Sequence, residues 1–81
     1  MSLGYTIKVA DAIRAADGSL IGVKLGQLCV KHGISVIEAS RILGVTRQTV
    51  YLWFIGESYP KEQHMDAITS LIGKLSSTID A

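Results

Sequence analysis

Glycine cuts this chain so often that, between Asp17 and Pro60, no helix or strand can exceed about 14 residues. The breaks fall at Asp17-Gly18-Ser19, His32-Gly33, Leu43-Gly44 and Ile55-Gly56, and Pro60 is the single proline. Within the pieces, apolar residues recur at spacings of three and four, which is helical periodicity. At 81 residues the chain makes one small domain, with no room for a second. A domain of this size buries only about 60% of the surface its unfolded chain exposes, so its stability is thin. The 48% apolar content excludes a disordered tail. With 19% charged residues and no long apolar run, no transmembrane segment is expected. The start, Met1-Ser2-Leu3-Gly4-Tyr5, lacks the basic and apolar regions of a signal peptide. A lone cysteine among apolar neighbours, Cys29, points to a reduced, cytoplasmic setting.

The first piece, Thr6 to Ala16, carries Ile7, Ala10 and Ile13 at spacing three and reads as a helix stopped by Gly18. The second, Leu20 to His32, places Ile21, Leu25, Leu28 and Cys29 on one face, with Ser19 as N-cap and Gly33 at its end. Gly22 and Gly26 weaken this helix, yet at spacing four they also admit a second backbone at close range; strand is the competing reading for Leu20–Leu25. The third, Val36 to Leu43, opens on a capping box formed by Ser35 and Glu38 and ends at Gly44. The fourth, Thr46 to Ile55, begins on a threonine cap and stops at Gly56. After the loop Glu57-Ser58-Tyr59-Pro60, a last helix spans about Lys61 to Leu75, with Met65, Ile68, Leu71, Ile72 and Leu75 as its buried stripe. Ser76 to Ala81 is expected to fray. The fold class is all-α: a small bundle of about five short helices.

Two short helices joined by a tight glycine turn make a helix-turn-helix. Over residues 35–53, Ala39 and Ser40 are small where the helices must cross, and Gly44 frees the turn. Leu43, Val45, Val50 and Trp53 form the wedge between the helices and the core. This segment resembles the Cro and phage-repressor type of helix-turn-helix. Gly33-Ile34 matches the Gly-Leu that ends the preceding helix in that family, and Gly56 matches the glycine closing its recognition helix, followed here by Pro60. The resemblance spans about Leu25 to Leu75 and implies a lambda-repressor-like bundle with a central helix-turn-helix, an N-terminal helix being an addition. Val36 departs from the family's glutamine, and Leu52 from its polar base-reading residue. The phrase Gly44 to Tyr51 is also similar to resolvase-type recombinases and excisionases.

The residue chemistry suits DNA. A recognition helix presents its N-terminal residues to base edges in the major groove. Arg47 matches guanine O6 and N7, and Gln48 matches adenine N6 and N7, each in bidentate fashion. Thr46 and Thr49 suit a phosphate or a thymine methyl, Tyr51 is either a phosphate contact or surface filler, and Ser58, Tyr59 and Lys61 are backbone anchors. Net charge is only +1, but residues 18–56 hold Lys24, Lys31, Arg41 and Arg47 against Glu38 alone. Residues 57–81 are net acidic. The middle therefore favours an anionic partner, though without the strongly basic stripe of a purely electrostatic binder.

No paired carboxylates, nucleophile with base, or phosphate-cradling glycine loop is present, so no enzyme, catalytic residue or cofactor is expected. His32 and His64 lie far apart without metal-ligand grouping, and His32 suits a helix C-terminus. Ile37, Leu52, Phe54 and Ile55 exceed what the helix-turn-helix core needs. Leu52, Phe54 and Ile55 are expected to form a homodimer surface, unless the N-terminal helix covers them. The expected function is a sequence-specific, phage-type transcriptional regulator binding double-stranded operator DNA, in a bacterial or phage-infected cell at the nucleoid. The alternatives are an excisionase- or recombinase-like accessory module, or a protein-interaction domain that kept the fold without DNA binding. No membrane or small-molecule partner is expected.

Overall fold

Each helix starts and stops for a local chemical reason. The computed structural model describes residues 7–77 and contains α1 (Ile7–Ala15), α2 (Ile21–His32), α3 (Val36–Leu43), α4 (Arg47–Ile55) and α5 (Glu62–Ser77). Among the described residues there is no strand, and Ile21–Leu25 is the start of a helix with Leu20 as its N-cap. The first helix was expected from Thr6, which lies outside the described residues, as do residues 78–81. At the other end the helix continues through Ser76 and Ser77, where fraying was expected; the Ser77 hydroxyl donates to the Lys74 carbonyl at 3.1 Å.

Ser35 Oγ accepts from the Glu38 amide at 3.1 Å, and Thr46 Oγ1 accepts from the Thr49 amide at 3.2 Å, so both helices of the central pair have side-chain N-caps. Ser19 does not cap α2. Its amide and hydroxyl both donate to Asp17 Oδ1, at 3.0 and 2.7 Å, and the N-cap is Leu20 with no side-chain bond. Asp17 competes successfully because its carboxylate takes the Ser19 amide in an Asx turn and the Ser19 hydroxyl with it. The Ser19 hydroxyl, then its amide, hold the Asp17 carboxyl below its ordinary range.

The central helix is α2. It packs against α1, α4 and α5, and within it only Lys24 and Lys31 are exposed. Val23, Leu25 and Cys29 are fully buried, and Leu25 and Cys29 share a core with Ile13 of α1, Val50 and Phe54 of α4, and Ile68 of α5. Burial, reinforced by the charge of Glu38, pushes the Cys29 thiol up to about 12, so it stays protonated and inert as a nucleophile at neutral pH. The extra helix α1 is tied down by Gln27, whose Nε2 donates to the Ile13 and Arg14 carbonyls at 3.2 and 3.3 Å. Those carbonyls belong to the last turn of α1, where the Ile13 carbonyl also accepts from the Ala16 amide at 3.3 Å.

Gly22 and Gly26 explain how α4 approaches so closely. A Cβ on Gly22 would lie 2.8 Å from the Trp53 carbonyl oxygen, and one on Gly26 would lie 2.6 Å from Phe54 Cγ. The pair therefore gives up helix propensity in α2 to seat α4 directly on its backbone. This contact overturns one expectation about the surface. Phe54 is 0% exposed, packed on Gly26, and is core rather than part of a dimer surface. Val50, Trp53 and Phe54 form the inner stripe of α4 at the 3–4 spacing.

Candidate nucleic-acid interface

The turn between α3 and α4 is built by Gly44, Val45 and Thr46. Gly44 has φ +71°, a left-handed backbone that only glycine adopts without strain, and its amide donates to the Ser40 carbonyl at 2.9 Å. The next amide, Val45, donates to the same carbonyl at 3.1 Å. Ala39 and Ser40 are buried, and the Ser40 hydroxyl is satisfied by the Ile37 carbonyl at 2.7 Å. A small residue pair and a left-handed glycine thus set α4 against α3, with its first turn outward.

On α4, Arg47 and Gln48 are exposed and Tyr51 is half-buried. Spacings of three and four put these three on one face, adjoining the inner stripe. The face continues into Leu52 and Ile55, both half-buried, with Ile55 packed against the core. Thr46 and Thr49 are partly committed elsewhere. Their hydroxyls lie 2.9 Å apart, and Thr46 Oγ1 also takes the Thr49 amide. With Thr49 as the hydroxyl donor, both lone pairs of Thr46 are filled and its hydrogen points to an outside acceptor.

Beside this face lies a groove of about 210 Å³ lined by Thr49, Trp53, Ser58, Tyr59, Lys61, Gln63 and His64. The three residues expected to anchor a backbone, Ser58, Tyr59 and Lys61, therefore converge with Thr49 on one concavity. The loop holds them there because the Glu57 and Ser58 amides both fold back onto the Leu52 carbonyl, at 3.0 and 3.2 Å. Tyr59 is 66% exposed at the rim. The floor is Trp53, 3% exposed, whose ring meets His64 at a centroid distance of 5.4 Å and an interplanar angle of 52°.

Neither family models, curated proteins nor solved structures match this chain.

Gln63 and His64 are the lining residues that sequence reasoning missed. They are adjacent in the first turns of α5, and their side chains meet at 3.3 Å between Gln63 Nε2 and His64 Nε2. Their place in the groove depends on α5 folding back beside α4, which no local pattern announces. No cluster of three or more His, Cys, Asp or Glu residues that could hold a metal occurs among the described residues, and none of their helices is long and apolar enough to cross a membrane.

Proposed function

We propose that the chain binds double-stranded DNA in a sequence-dependent way and acts as a regulator of the phage-repressor kind. The observation that carries this reading is the pairing of an outward first turn on α4, bearing Arg47 and Gln48, with a polar groove bearing Lys61 beside it. The first group has the fork geometries that match purine edges in the major groove. The second has the hydroxyls and fixed positive charge that hold a phosphate. Lys24, Lys31, Arg41 and Arg47 are all exposed, so none of the basic charge of the middle segment is spent internally.

Two copies on one duplex follow from the resemblance to dimeric repressors more than from this surface. With Phe54 buried, the apolar part of the outer face reduces to Leu52 and the rim of Ile55. Selection of bound sequences from a random duplex pool tests both parts of the reading. It should return a defined site whose half-sites lie about 34 Å apart, one helical turn.

Arg47→Ala and Lys61→Ala should then separate reading from holding. Loss of a bidentate base contact costs about 1–3 kcal/mol and relaxes preference at that base pair. Loss of a phosphate contact weakens all sequences alike and lowers the salt slope by about one unit. Arg47→Ala should therefore blur specificity, while Lys61→Ala lowers affinity evenly. Both side chains are exposed, so both variants should stay folded. Affinities for the selected site and its single-base variants, at two salt concentrations, decide the matter. If neither substitution alters binding, this face does not contact DNA.

A further inference from the structure

We propose that His64 is a proton-linked ligand for a DNA backbone phosphate in the groove between α4 and α5, so that duplex affinity rises as pH falls through the imidazole range. The inference rests on the DNA-binding reading above and assigns a residue to it that the recognition helix does not contain.

His64 shares its groove with Thr49 and Trp53 of α4, neither of which titrates, with Ser58, Tyr59 and Lys61 of the preceding loop, and with Gln63 of its own helix. Of these, Trp53 and Gln63 contact the ring itself. Lys61 is the only fixed charge among the lining residues, and no carboxylate is among them. A groove with one cation, a set of hydroxyls and an amide is suited to an anion. Protonated His64 would add a second cation and a second charge-assisted donor to the groove. A bound phosphate would offset the charges of Lys61 and of a protonated His64 together. Proton uptake and phosphate binding therefore favour each other, as linkage requires.

The surroundings tolerate either charge state. The Trp53 ring centroid lies 5.4 Å from that of His64, within the roughly 6 Å over which an aromatic ring attracts a cation. The Gln63 amide donates to a neutral ring that carries its hydrogen on Nδ1. Turned over, the same amide presents its oxygen to a protonated Nε2. Imidazole is the side chain whose ordinary titration falls between about pH 5 and 8.

The test is the affinity of the full chain for a mixed-sequence duplex of about 20 base pairs, two helical turns, at about pH 5.5 and about pH 8. Wild type should bind roughly tenfold tighter at the lower pH. Its salt slope should also be steeper there by about one unit. His64→Gln should bring the ratio between the two pH values to one, with helicity by circular dichroism as the folding check. His64→Arg, with a fixed charge that also stacks on Trp53, should bind with the low-pH affinity at both values. Equal wild-type binding at the two pH values, or an undiminished pH effect in His64→Gln, overturns the proposal and leaves the DNA reading standing. Absence of duplex binding at either pH removes that reading and this inference with it. If inorganic phosphate moves the His64 ring resonances and the duplex does not, the ligand is a free phosphate and the proposal is overturned.

Discussion

Trp53→Ala is expected to leave the chain largely unfolded at about 37 °C, because a loss of about 3–5 kcal/mol equals the whole stability usual for a domain this small. Trp53 is 3% exposed and stands at the junction of three elements. Its backbone rests on Gly22 of α2, and its ring meets His64 of α5. Truncation would open a cavity that neither neighbour can fill, since Gly22 has no side chain and His64 belongs to a separate helix. Circular dichroism should show a broad, early melt. A melt like that of wild type would mean that the ring contributes no core packing.

A comparable loss is expected from Gly22→Ala combined with Gly26→Ala, although each alanine improves helix propensity by up to about 1 kcal/mol. The new Cβ atoms would lie 2.8 Å from the Trp53 carbonyl oxygen and 2.6 Å from Phe54 Cγ. Neither obstacle is the loose end of a flexible side chain: one is backbone, the other the base of a fully buried ring. Overpacking of this kind costs about 1–3 kcal/mol per site, which outweighs the gain in propensity. Gly73→Ala supplies the contrast. It lies inside α5, and nothing stands within 4 Å of the atom it would add. Only the propensity gain applies, so the variant should melt higher, by about 4–8 °C per kcal/mol. Thermal melts of the three proteins should therefore rank Gly73→Ala above wild type and the double variant far below it. If the double variant also melts higher than wild type, α2 and α4 are not packed backbone to backbone.

What was legible in the chain was short-range. Ser35, Thr46 and the glycines at 33, 44 and 56 announce helix ends through chemistry within four residues, and those ends are where they were expected. The spacing of Gly22 and Gly26 announced a close approach without saying what approaches. Ser19 was misjudged because two local satisfactions compete for one hydroxyl, and Asp17 holds it. The burial of Phe54 was available from its spacing to Val50, but a core drawn from the family pattern stops at Trp53. The groove was only half legible. Ser58, Tyr59 and Lys61 follow α4 closely in the chain, whereas His64 joins them through tertiary packing of α5 onto Trp53.

The outer face of α4 and the adjoining groove are the surfaces proposed to meet DNA. Amide and side-chain NMR shifts of the full chain, titrated with a duplex selected from a random pool, test that contact residue by residue. The largest changes should fall on Thr46 to Tyr51 and on Ser58 to His64, with the buried residues of α2 little affected. Changes confined to the exposed side of α1 or to the far end of α5, or no change at all, would contradict the account.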